Sequence, residues 1–272
     1  MKYITLQGAE IPALGLGTFQ LEGTTAQTIV EAALAEGYRH IDTAQIYRNE
    51  EAVGAGIKAA GVPREDIFLT TKVWYDRLTQ KDFLPSVEVS LRKLQTDYVD
   101  LLLIHWPNPE VPLEETVEQL LEAREKGYTR HIGVSNFPVR LVEQTIALGA
   151  DIITNQVEYH PLLDQIKLYN YLREHGITLT AYSPIAQGKL LGNEILHSIG
   201  RKYGKNEVQV ALRWLLQQDG VLAIPRSSKV HNMKANFQVF DFELTQDEVK
   251  QIDQLRRLNQ REVQPHWAPE WD

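Results

Sequence analysis

No cysteine occurs among the 272 residues, which excludes disulfide frameworks and thiolate chemistry. No apolar stretch approaches the ~20 residues that span a bilayer. The opening MKYITLQGAEIPALG is too poor in apolar residues for a signal peptide, so a soluble cytoplasmic protein is expected. Basic charge is also in short supply. Lys and Arg number 28 against 36 Asp and Glu, a formal net charge of −8, which disfavours nucleic acid or an anionic membrane as partner. No Pro/Gly/Ser-rich linker or run of like charge divides the chain. Hydrophobic residues make up 43%, enough for a large core, and an α/β barrel uses this length as one domain, here residues 1–272.

What is present is an alternation of short apolar runs and amphipathic segments. The runs Leu14–Gly17, His40–Thr43, Phe68–Val73, Val99–His105, His131–Ser135, Thr154–Tyr159, Thr178–Ser183 and Val221–Pro225 read as strands. Helical spacing recurs between them over Thr25–Glu36, Asn49–Ala60, Phe83–Leu94, Leu113–Lys126, Val139–Leu148 and Ile166–His175. Gly37, Gly127, Gly149 and Gly176 sit just past helix ends, where a left-handed residue closes the last turn. Eight strands each followed by helix predict a (β/α)₈ TIM barrel. Tyr3–Leu6 and Ile11–Leu14 around Gly8 predict an N-terminal β-hairpin cap. The stretch from Gln187 to the eighth strand carries two helical patterns around Gly204. The tail after Leu258, with Pro265, Trp267, Pro269 and Trp271, predicts a C-terminal loop with aromatic anchors.

Active sites of such barrels lie at the C-terminal ends of the strands. Asp42 ends the second strand, Tyr47 lies in the loop beyond it, Lys72 ends the third and His105 ends the fourth. A free tyrosine, with a pKa of about 10, is a poor acid near neutrality. A lysine ammonium ~4 Å away favours the phenolate and lowers that pKa. Asp42 would hold Lys72 in place and charged, and His105 could orient a substrate carbonyl. A purely structural Asp–Lys pair with a rim tyrosine accounts for the spacing equally well. His40, Asp42, His105 and His160 could be grouped as metal ligands. Lys72 and Tyr47 would crowd the cation, however, and no HExxH pair occurs, so no metal is expected.

The stretches GLGTF at 15–19, YRHIDTAQIYRNEEAVG at 38–54, TTKVW at 70–74, DYVDLLLIHWP at 97–107, IGVSNF at 132–137 and NQVEYHP at 155–161 resemble the aldo-keto reductases, in order and over essentially the whole chain. The length and the ending APEWD look like the bacterial 2,5-diketo-D-gluconate reductase B (methylglyoxal reductase) type. The resemblance implies NADPH-dependent reduction of small polar carbonyls: 2,5-diketo-D-gluconate, methylglyoxal and other 2-oxoaldehydes. In that reading Tyr47 is the proton donor, Asp42 and Lys72 are its partners, and His105 orients the carbonyl.

The implied cofactor is NADPH/NADP+, held extended without a Rossmann domain. In agreement, Gly15-Leu-Gly17-Thr-Phe-Gln20 lacks the third glycine of GxGxxG, and Gly54-Ala-Gly56 reads as helix packing. By resemblance Ser135, Asn136 and Gln156 grip the nicotinamide carboxamide, for which amides and a hydroxyl have suitable donors and acceptors, and Tyr182 stacks on the ring. Gly17, Thr18 and Asp42 belong to the same cofactor site. Two loops would hold the phosphates and adenosine: Ser183, Pro184, Ile185, Gln187 and Gly188 after the seventh strand, and Ile224, Arg226, Ser227 and Ser228 after the eighth. Arg226 and Ser227 match the pair that meets the ribose 2′-phosphate, with Asn236 near the adenine. Many relatives have an arginine where this chain has Asn232, which weakens strict NADP preference. Phe19, Trp74, Trp106 and Phe137 each follow a motif directly and are expected to line a substrate pocket with Tyr47 and His105, with Trp267 closing it. The simplest assembly state is a monomer. Two other readings are an NADPH-binding redox-sensor module with little turnover and a metal-dependent barrel hydrolase.

Overall fold

The structure, a computed structural model, describes residues 2–272. Its eight central strands are β3 (Leu16–Gly17), β4 (His40–Asp42), β5 (Phe68–Val73), β6 (Val99–Ile104), β7 (Thr129–Ser135), β8 (Thr154–Glu158), β9 (Thr178–Tyr182) and β10 (Val221–Ala223). All pair in parallel with their neighbours in sequence. Every residue of β5 and β6 is buried, the signature of parallel strands covered on both faces.

The curled sheet closes on itself between its first and last strands. Leu14 bridges Ala223 and Gly17 bridges Arg226 in parallel, and Gly15 and Gly17 donate backbone N–H groups to Ala223 and Pro225. Gly17 is required at this seam: a Cβ there would stand 2.7 Å from the Ile224 carbonyl oxygen. The first barrel strand is accordingly shorter than Leu14–Gly17, its outer residues serving as seam bridges.

Around the barrel run α1 (Gly23–Glu36), α2 (Glu50–Ala60), α3 (Phe83–Leu94), α4 (Leu113–Glu125), α5 (Val139–Ala147), α6 (Ile166–Glu174), α7 (Glu194–Tyr203), α8 (Glu207–Gln217), α9 (Val230–Phe237) and α10 (Gln246–Asp253). Gly54 and Gly56 allow α2 to approach its neighbours, since Cβ atoms there would meet the carbonyl oxygens of Leu94 and Gln27 at 2.6 and 2.7 Å. Reciprocal capping boxes fix the starts of α8, through Asn206 and Gln209, and of α10, through Thr245 and Glu248.

The hairpin cap consists of β1 (Tyr3–Leu6) and β2 (Ala9–Pro12). Its second strand begins two residues earlier than the sequence predicts. Gln7 and Gly8 both adopt positive φ and make a two-residue turn, which forces Leu6 to pair with Ala9. Among the described residues, no helix is long and apolar enough to cross a membrane.

Candidate active site

The carboxyl end of β4 places Asp42 beside Lys72, which projects from β5; both are fully enclosed, at 1% and 0% exposed. Lys72 Nζ donates to Asp42 Oδ1 at 2.6 Å, to the Thr43 carbonyl at 2.8 Å and to the Tyr47 hydroxyl at 3.3 Å. An ammonium has three N–H donors, and here all three have acceptors. The Tyr47 oxygen therefore receives a hydrogen from Lys72 and keeps its own to donate elsewhere. Tyr47 stands on a short 3₁₀ turn, Gln45–Tyr47, half-buried, with its ring between Phe19 and the edge of His105 at centroid distances of 5.1 and 5.7 Å. The four polar residues that follow separate apolar runs thus converge on one mouth.

Electrostatics here departs from the sequence expectation. Burial pushes the Tyr47 phenol well above its ordinary pKa, and the Asp42 charge adds to that. Burial likewise lowers the Lys72 ammonium, against the opposing pull of Asp42. The expected drop at Tyr47 is not seen, because burial and the Asp42 charge both raise the phenol. The phenol is consequently a held proton and not a phenolate. His105 is pushed well below its ordinary range by burial and then by Lys72, so its ring is neutral. His105 Nδ1 is buried with no hydrogen-bond partner.

Other residues expected at the cofactor site surround this group. Gln156, on β8, donates through Nε2 to Asp42 Oδ2 at 2.7 Å. Asn136 adopts positive φ and donates to the His105 carbonyl and to Ser135 Oγ, while its Oδ1 accepts from the Tyr182 hydroxyl at 2.8 Å. Thr18 is buried and its hydroxyl is spent on the Asp42 carbonyl. Beyond Tyr182, Ser183, Ala186, Gln187 and Gly188 all take positive φ, turning the loop after β9 tightly around Pro184 and Ile185. After Ile224, the exposed Arg226 donates from Nε and Nη2 to the carbonyls of Phe19 and Gln20, leaving three of its five N–H groups free. The Ser227 hydroxyl is taken up by the backbone of Lys229, and Ser228 is exposed. On α9 Asn232 is exposed and Asn236 buried.

These residues fit a nicotinamide dinucleotide. An orphaned ring nitrogen on His105, amides and a hydroxyl clustered at one strand end, and a basic loop with unspent donors suit a carboxamide at one end and phosphates at the other.

Trp74, Trp106 and Trp267 pack together beside His105. The Trp267 ring lies 6.1 Å from Trp74, 5.1 Å from Trp106 and 4.7 Å from Tyr75, so the tail reaches over the strand ends. Trp74 in turn packs edge-on against His105 at 5.1 Å. Phe19 is 52% exposed at the rim. Phe137 differs from expectation. It is wholly buried in the hydrophobic core, because Asn155 bonds both its backbone N–H and its carbonyl and turns the chain inward at the end of β7. Among the described residues, no group of three or more His, Cys, Asp or Glu side chains could hold a metal ion.

Three residues of the site escape a reading of sequence alone. Asn49 looks like a helix N-cap, but its side chain points back into the barrel, accepting from Thr43 Oγ1 and donating to the carbonyls of Thr18 and Leu21. Gln45 accepts from the Trp74 N–H and donates to Ser86 and Ser90, which ties the Trp74 backbone to α3. Glu158, within the strand ahead of His160, is fully buried. Each lies in a quoted motif, and the only signal was a polar residue beside an apolar run.

The aldo/keto reductase family profile matches residues 13–257. The chain is 45% identical over 267 residues to methylglyoxal reductase DkgB of Escherichia coli O157:H7, covering 96% of this chain and 99% of that protein. It is 47% identical over 253 residues to glyoxal reductase of Bacillus subtilis strain 168, covering 92% and 91%. A crystal structure described as a putative 2,5-diketo-D-gluconic acid reductase B superposes with a TM-score of 0.97 at 48% identity, covering all of this chain and 98% of the other.

Proposed function

The chain belongs to the aldo/keto reductase family, and we propose that it reduces small polar aldehydes and ketones with NADPH, acting on 2-oxoaldehydes such as methylglyoxal and on 2,5-diketo-D-gluconate. The observation that carries this reading is the saturation of Lys72 by Asp42, Thr43 and Tyr47, which leaves the Tyr47 proton to be donated into the mouth. NADPH, when bound, supplies the hydride that adds to the carbonyl carbon. Tyr47 transfers its proton to the carbonyl oxygen, and Lys72 stabilises the phenolate that this leaves. A neutral His105 holds the carbonyl oxygen by a hydrogen bond without competing as an acid. Ser135, Asn136 and Gln156 bind the carboxamide, and Tyr182 packs on the ring.

The preference for NADPH over NADH rests on the three unspent N–H groups of Arg226, a fork suited to a phosphate. Asn232, uncharged and exposed, adds no cation to that end, so the preference is modest. Methylglyoxal and glyoxal enter this reading through the names of the relatives, and a pocket walled by three tryptophans with a small polar floor accommodates such carbonyls.

The test is NADPH oxidation with a panel of carbonyls, wild type against Tyr47→Phe. Loss of the acid lowers kcat by about 10²- to 10⁴-fold while NADPH still binds. A phenylalanine variant that keeps its rate would defeat the mechanism, and tight NADPH binding with no turnover on any carbonyl would favour a sensor.

A further inference from the structure

The tail that carries Trp267 meets the barrel at a buried carboxylate. Glu158, the last residue of β8, is 0% exposed, and its carboxylate receives three hydrogens. His160 Nδ1 accepts from the Leu162 N–H, so the ring proton is on Nε2, which donates to Glu158 Oε1 at 2.8 Å. The backbone N–H of Glu262 donates to the same oxygen at 2.7 Å, and that of Val263 to Oε2 at 2.8 Å. Burial alone would raise this carboxyl, yet the three donors hold it below its ordinary value.

Both tail donors are main-chain groups, and they lie four and five residues ahead of Trp267. Between 259 and 272 the chain forms no helix or strand, so it has no ladder of its own to fix its path. Its other polar ties lie at its two ends or at the surface: the Gln260 N–H donates to the Leu162 carbonyl, Asn259 and Asp272 accept from the N–H groups of Asp164 and Val139, and Lys189–Glu262 and Lys167–Asp272 use exposed lysines, pairs that contribute little. Glu158 is also paired in register with Tyr182 of β9, so the clasp sits next to the residue proposed to carry the nicotinamide ring.

We propose that Glu158 is a positioning residue for substrate binding: its buried carboxylate clasps the tail at Glu262 and Val263 and thereby sets Trp267 against Trp74 and Trp106. The inference rests on the carbonyl-reductase reading for its kinetic consequence, but the clasp itself can be measured without turnover.

The decisive variant is Glu158→Gln, which keeps an oxygen for His160 and Glu262 but turns an NH₂ group toward the Val263 N–H. Amide hydrogen exchange should show Glu262 and Val263 protected in the wild type, and Val263 exchanging freely in the variant. With NADPH and methylglyoxal, KM should rise about tenfold, as loss of one charge-assisted bond gives, while kcat and the NADPH Kd stay unchanged. Adding Glu158→Gln to Trp267→Ala should raise KM no further than Trp267→Ala does alone, since the carboxylate acts through that ring. Val263→Pro, which deletes one tail donor and leaves the buried carboxylate in place, should reproduce the phenotype and decides the matter if the glutamine variant does not fold. The proposal is overturned if the Val263 amide stays protected in Glu158→Gln, if the loss falls on kcat or on NADPH affinity, or if the effects of Glu158→Gln and Trp267→Ala simply add. A wild type that reduces no carbonyl yet shows protected tail amides would defeat the proposed function and leave the clasp standing.

Discussion

Gln156 Nε2 donates to Asp42 Oδ2 at 2.7 Å across 114 residues of chain, so one buried carboxylate serves two strands: Lys72 of β5 on one oxygen and Gln156 of β8 on the other. Removing its charge leaves the Lys72 ammonium uncompensated in a site that water does not reach. Asp42→Asn should therefore cost about 3–5 kcal/mol of stability in urea unfolding. The double variant Asp42→Asn/Lys72→Met should lose less than the two single losses summed, because no lone charge remains buried. Strict additivity would show that the pair is not coupled.

The pH profile of reduction should have its alkaline limit at Lys72. In the proposed mechanism reduction needs both Lys72 and Tyr47 protonated. Burial lowers the lysine from 10.5 and raises the tyrosine well above 10.0, so rising pH strips Lys72 first. On the acid side His105 is held well below 6.5 by burial and Lys72 and stays neutral, so kcat/KM should show no step near that value. Measured between about pH 5 and pH 10, Lys72→Met should abolish the alkaline limb. A break near 6.5 that disappears in His105→Gln would contradict this assignment.

Asn49→Ala should lower stability by about 2 kcal/mol, since it strands the buried carbonyls of Thr18 and Leu21 and the Thr43 hydroxyl together. Chemical denaturation reads the loss. Asn49→Asp should be worse, because a carboxylate would face two carbonyl oxygens.

Phe137→Ala separates a core role from a pocket role. Wholly buried, this side chain should cost about 3–5 kcal/mol when truncated, with KM for methylglyoxal unchanged in the folded fraction. A KM rise without loss of stability would return Phe137 to the pocket wall.

The barrel was legible in sequence because each strand is a short apolar run and each helix an amphipathic one, and the period changes cleanly between them. Tyr47, Lys72, Asp42 and His105 were legible because they are polar residues at the ends of those runs. Which atoms they would meet was not. Whether Lys72 lowers the Tyr47 pKa depends on how much water the pair loses, a property of the closed barrel and not of spacing. Asn49 and Glu158 were hidden for a related reason: an asparagine at a helix start and a glutamate at a strand end are ordinary in sequence, and their backbone partners lie 28 to 105 residues away. The burial of Phe137 was not legible because its backbone is held by Asn155, on the next strand.

The seam between Gly17 and the segment after β10 also has a consequence for synthesis. Leu14 finds its partner at Ala223, and Arg226 reaches back to Phe19 and Gln20. Until about the last fifth of the chain leaves the ribosome, β3 is an open edge with unpaired backbone, and such edges invite pairing with other chains. Contacts this distant in sequence form slowly. Newly made protein should therefore depend most on protection from aggregation just before its final residues are added, and truncation ahead of Val221 should yield insoluble chains and not a smaller barrel.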